Sequence, residues 1–213
     1  MISIVADTIP DQGNLSFGQV SFAQGADFLI QLHGETDSVM LVDPYYDVFQ
    51  YQYSVQNTLL EPIDNQDNKD SGTFVPLYAA MNRALTLPGT NTVIPFSKFN
   101  ARALTYGISD PESPNYNSLA DFYAGDHVVE LRIPWLLFNV RDPGTKNIIA
   151  DWHKTGAVTG QTVEAFSFSV FTGKSEGTIP FGAYSWEGWD LPTYHERLKH
   201  SYPIVQACFA EIP

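Results

Sequence analysis

The chain has a single cysteine, Cys208, which excludes an internal disulfide; set in the apolar run Ile204–Phe209, it reads as a small buried hydrophobe. Positive charge is scarce. Eleven Lys and Arg stand against 24 Asp and Glu, a net charge of −13. That balance excludes nucleic acid as a partner, because phosphate binding needs a basic surface. It also disfavours adsorption to anionic lipid. No apolar run approaches the ~18 residues that cross a bilayer, so no direct membrane insertion is expected. The opening Met1-Ile2-Ser3-Ile4-Val5-Ala6-Asp7 lacks a basic region and meets an acid too early for a signal peptide; it reads as a strand. There is no repeat at a fixed period and no linker that divides the chain. Charge of either sign is thin, at 16 % of residues, as suits a module with one face docked on a larger protein.

Aromatics make up 14 % of the chain, with 15 Gly and 14 Pro as frequent punctuation. The dominant local pattern has period two. Phe28, Ile30 and Leu32 share one face, as do Val129, Leu131 and Ile133, with Glu130 and Arg132 opposite. Phe166, Phe168 and Val170 alternate with Ser167 and Ser169. These are half-buried strand signatures. Val39–Val42, Tyr51–Val55 and Ile204–Phe209 are further strand candidates. Two short helical turns are expected, one capped by Ser118 over Leu119–Ala124 and one opened by Pro134 over Trp135–Asn139. Short strands separated by Gly/Pro turns predict an all-β fold: a single antiparallel β-sandwich, jelly-roll-like, over residues 1–213.

Catalytic motifs fail one by one. Gly173-Lys174-Ser175 would put the first glycine of a phosphate loop at Phe168, inside a strand. His195-Glu196 starts like a zinc-protease helix, but Lys199 stands where the second histidine belongs. The five histidines, 33, 127, 153, 195 and 200, include no pair with metal-ligand spacing. The loop Asp64–Asp70 is rich in oxygen ligands, yet an EF-hand register from Asp67 meets Lys69 at the third position and Tyr78 at the twelfth. Asp7 and Asp27, at strand ends, are separate candidates for a structural calcium; no other cofactor is expected. Asn14-Leu15-Ser16 matches the N-glycosylation pattern. Glu130 reads as the partner of Arg132 rather than an acid catalyst. No catalytic residue is assigned.

The residues that ask for another explanation lie in Tyr184-Ser185-Trp186-Glu187-Gly188-Trp189-Asp190. Aromatic faces suit the C–H faces of sugars, and neighbouring carboxylates accept bonds from hydroxyls. Candidate carbohydrate-binding residues are therefore Trp186, Trp189, Tyr184, Glu187 and Asp190, with Tyr45 and Tyr46 as a second group. Packing at the end of a core is the competing explanation for all of them.

The segment Val128-Val129-Glu130-Leu131-Arg132-Ile133-Pro134-Trp135-Leu136-Leu137 resembles the late-strand signature of carbohydrate-binding module family 9 and of DOMON-like sandwiches. Ile4–Asn14 and Ala26–Leu32 resemble their first strands. The tail, Tyr184–Trp189 followed by Tyr194–Tyr202, is similar to that of an uncharacterised bacterial group of this type. The resemblance implies a β-sandwich that sits beside a catalytic domain. Family 9 modules grip the end of a sugar chain between two tryptophans; Trp186 and Trp189 do not align residue by residue onto that pair. Other DOMON-like domains bind haem, but Met1, Met40 and Met81 offer no His–Met ligand pair.

The sequence therefore predicts a non-catalytic accessory module for oligo- or polysaccharide, part of a bacterial extracellular or envelope protein. One alternative is an interaction domain packing on a neighbouring domain of the same polypeptide. The other is a glycoside hydrolase, which needs two carboxylates facing across a cleft.

Overall fold

A computed structural model describes residues 1–191 and 201–211. Its strands, in chain order, begin with β1 (Ile2–Asp7), β2 (Asn14–Phe17), β3 (Val20–Ala26), β4 (Phe28–Leu32), β5 (Val39–Val42) and β6 (Val75–Pro76). There follow β7 (Tyr78–Asn82), β8 (Leu85–Thr86), β9 (Val93–Ile94), β10 (Ser97–Asn100), β11 (Phe122–Ala124) and β12 (Val129–Leu131). The last are β13 (Val140–Asp142), β14 (Asn147–Ile149), β15 (Gly160–Thr162), β16 (Ala165–Thr172), β17 (Gly177–Ile179) and β18 (Gly182–Ser185). The α-helices are α1 (Val48–Gln50), α2 (Trp152–Thr155) and α3 (Ser201–Ala210).

The expected single antiparallel β-sandwich is not what the chain forms. Among the described residues the strands divide into one six-stranded sheet, in the order β18-β16-β1-β4-β5-β6, and five separate sheets of two or three strands. One pairing, β17 with β3, is parallel. The 3-10 turn Pro44–Tyr46 is separated by the extended Asp47 from α1, which runs on into the π-helical Tyr51–Gln56, and α3 adds ten residues. The fold is mixed α/β, and the sandwich implied by the resemblance to family 9 and DOMON-like domains is corrected with it.

Period-two alternation does build the large sheet. Ile4 pairs with Ile30 and Val170, and Ala6 with Phe28 and Phe168, so these side chains share one face. That face carries the main core, with Phe28 against Tyr46 and Phe138 in edge-to-face contact. The opposite face, with Val5, Leu29 and Phe171, packs on Val20 and Phe22 of the β17-β3-β2 sheet. Burying an aromatic such as Phe28 contributes roughly 1.5–3 kcal/mol.

Three expected elements change type. Tyr51–Val55 is helical, because Phe49 and Tyr53, four residues apart, meet at 4.9 Å while Tyr51 stacks on Trp152 at 5.1 Å. The residues after Ser118 give no helix; Phe122–Ala124 pairs with β12 instead. Ile204–Phe209 lies within α3. A short apolar run cannot be assigned by period alone, and Pro203 falls in the first turn, where its missing N–H costs nothing. The turn expected after Pro134 is present, as a 3-10 turn over Trp135–Phe138 closed by Asn139 at φ 58°.

Candidate functional site: an apolar groove beside Trp186

The segment singled out for sugar contact starts on an anchor. Trp186 is half-buried, 4.7 Å from Trp135 and 5.1 Å from Phe166 between ring centroids. Its Nε1–H donates to the carbonyl of Pro143 at 2.8 Å. Lys146 Nζ lies 5.8 Å from the ring. Trp189 N–H donates to the carbonyl of Gly144 at 3.0 Å, and the two backbones cross so closely that a Cβ on Gly144 would meet Trp189 O at 2.6 Å. The chain from 186 to 189 is thus pinned to the turn at 143–144. Trp189 keeps part of its surface open, and Tyr184, Glu187 and Asp190 are exposed.

Tyr45 and Tyr46 are buried. The Tyr45 ring stacks on His153 at 3.8 Å, and burial, with the charge of Asp151 adding to it, pushes its hydroxyl up to about 12. Tyr46 stacks on Trp152 at 5.4 Å and donates its hydroxyl proton to the carbonyl of Ile149. Neither offers a free ring face to a sugar.

What the structure places beside Trp186 is a groove of about 650 Å³. Its floor is the core face of the large sheet, with Ile2, Ile4, Phe166 and Phe168. Its other wall is β12 and the chain that follows, with Val129, Leu131, Ile133 and Trp135. The rims are open: Val170 is 62 % exposed, Tyr184 50 %, and Val129 and Leu131 38 % each. Among the described residues Arg132 is the one charged residue in the lining, and its guanidinium has no carboxylate within ion-pair distance. The sequence placed Val129, Leu131 and Ile133 on an inward face; the short β11–β12 pair leaves that face only part-covered. The exposed Val170, in register with Ile4 on the core face of the sheet, is the trace of the gap.

The carboxylates with disturbed protonation lie elsewhere and brace turns. Asp27 is fully buried; its Oδ2 accepts from Thr8 N, Thr8 Oγ1 and Ile9 N at 2.7–3.1 Å, and its Oδ1 from Gln12 Nε2 at 3.1 Å. Burial raises it to about 6 despite those bonds. Burial raises Asp7 to about 7, with the charge of Asp27 adding to it. Asp43 caps the turn at Pro44 through Tyr45 N–H, and burial raises it to about 8. Asp47 caps α1 and is raised by burial to about 6. Such Asp caps satisfy helix N–H groups that would otherwise lack partners, and Asp43-Pro44 and Asp47 were readable as cap signals in the sequence. Among the described residues no group of three or more His, Cys, Asp or Glu side chains is placed to hold a metal ion. Asn14 is fully buried, donating to Thr73 O and accepting from Gly72 N, so the folded chain does not present it for glycosylation. Tyr194, His195, Glu196, Lys199 and His200 lie outside the described residues.

Among the described residues no helix is long and apolar enough to cross a membrane. Comparison of the chain with family models, with curated proteins and with solved structures finds no match.

Proposed function

We propose that this chain is a non-catalytic interaction module whose working surface is the groove beside Trp186, and that it takes an apolar helical segment. One observation carries the reading: a solvent-open groove floored by core residues, with Arg132 as its only charge among the described residues. A sugar site needs several convergent hydrogen-bonding groups, which this lining lacks. Helix-in-groove recognition needs an apolar trough and little else, and a lone cation suits the negative C-terminal end of a helix. The partner expected from the sequence that fits is an element of a neighbouring domain in the same polypeptide.

A glycan reading keeps one observation of its own. Trp189, Glu187 and Asp190 remain at the surface outside the groove. Two titrations separate the readings. An apolar anionic dye, anilinonaphthalene sulfonate, is expected to bind saturably at the groove. A panel of oligosaccharides is expected to give no signal that Trp189→Ala removes. Saturable sugar binding lost in Trp189→Ala, with no dye binding, would reverse the choice.

A further inference from the structure

We infer that the groove has a resident occupant, helix α3 of the same chain, which docks there and competes with any outside partner. This rests on the groove being an apolar docking site.

The helix has the right surface and, among the described residues, no partner covering it. Every residue of α3 is exposed, including Tyr202, Ile204, Val205 and Phe209. At 3.6 residues per turn, Tyr202, Ile204, Val205, Cys208 and Phe209 share an arc of about 160°, leaving Pro203, Gln206, Ala207 and Ala210 opposite. Ser201 also falls within that arc and the two alanines opposite are apolar, so α3 is apolar most of the way round, with its large side chains in a stripe on one side. A ten-residue helix is marginal in water without packing, so α3 needs a surface to lie on.

The groove supplies that surface within reach. Trp186 touches Trp135 and Phe166, both in the groove lining, so the chain leaves the body next to the groove. Ten residue steps from Leu191 to Ser201 span at most roughly 35 Å. The helix itself is about 15 Å long. Charge fits as well. Ser201–Ala210 carries no charged side chain, Glu211 follows at its C-terminal end, and among the described residues Arg132 is the groove's only charge. Docking with Glu211 toward Arg132 pairs both, and the helix dipole points the same way. The structure shows the undocked arrangement; the docked one buries the stripe that this arrangement leaves in water.

Cys208, near the middle of the stripe, is the chain's only thiol and reports docking directly. The full-length chain is compared with Val170→Asp and Leu131→Asp in the groove and Phe209→Asp on the helix, each checked for an unchanged melting temperature. The measurements are the reaction rate of Cys208 with a disulfide reagent and the affinity for anilinonaphthalene sulfonate. Docking predicts at least fivefold slower thiol reaction in the parent chain than in either groove variant, independent of protein concentration. It also predicts at least fivefold tighter dye binding in Phe209→Asp. Equal thiol rates in all chains, with dye binding lost in the groove variants, would overturn the helix as occupant and leave the groove reading standing. Dye binding untouched by both groove variants would overturn the two together. Protection that appears only on raising protein concentration would assign the groove to a second copy and overturn docking within one chain.

Discussion

Trp186 lies 4.7 Å from Trp135, ring to ring, and the pair joins the end of β18 to the 3-10 turn after Pro134. The contact gives Trp186 a structural role and makes it one side of the scaffold that holds the groove open. Trp186→Ala is therefore expected to cost about 3 kcal/mol, the low end for an aromatic truncated in a core. Trp186→Phe, which loses the bond to Pro143 O but keeps much of the packing, is expected to cost about 1 kcal/mol. Trp189→Ala keeps its backbone bond to Gly144 and is expected to stay within about 0.5 kcal/mol. Urea denaturation of the three variants measures the order.

Stability is expected to fall as pH rises from 5.5 to 8.5. Asp7, Asp27 and Asp43 are raised in the folded state from 3.8 to about 7, 6 and 8. The folded chain then binds more protons than the unfolded one throughout that window, so each unit of pH favours unfolding. The stabilisation linked to their protonation is present in full below the unfolded value of 3.8 and is lost as pH rises through the folded-state values. Asp43→Asn, which keeps an oxygen for Tyr45 N–H and removes the ionisation, should flatten the slope at its alkaline end. Melting temperature against pH checks both; a parent chain more stable at pH 8.5 than at 5.5 would refute the assignment.

Gly25 marks a close backbone crossing. A Cβ there would stand 1.8 Å from the carbonyl oxygen of Gln12, and backbone cannot move aside as a side-chain tip can. Gly25→Ala should cost about 1–3 kcal/mol or more. Gly173→Ala meets nothing within 4 Å at an unexceptional φ, and should be neutral or stabilise by about 0.4–1 kcal/mol. Thermal melts of the two variants side by side test the contrast.

The large sheet was legible in the sequence because successive side chains of a strand point to opposite faces, so residues two apart share one. Phe28-Ile30-Leu32 and Phe166-Phe168-Val170 lie on the face the pattern assigned them. Tyr51–Val55 was misread because its aromatics satisfy contacts with Trp152 and Phe49 that depend on the whole fold. Ile204–Phe209, five apolar residues and Gln206, suits a strand and a helix equally, so its period alone does not select one. Within the aromatic segment at 184–190, Trp186 packs on Trp135 and Phe166, while Tyr184 lines the groove. The groove itself was not legible. It arises where β12 stops short over the sheet, a tertiary event that Val129 and Leu131 undergo without any change in their pattern.

The central claim is that the surface bounded by Val170 and Leu131 binds apolar partners. Equilibrium titration of the full-length chain with anilinonaphthalene sulfonate, against Val170→Asp and Leu131→Asp at matched melting temperature, tests it most directly. The account predicts saturable binding that weakens at least tenfold in both variants. Equal affinity in all three chains would contradict it.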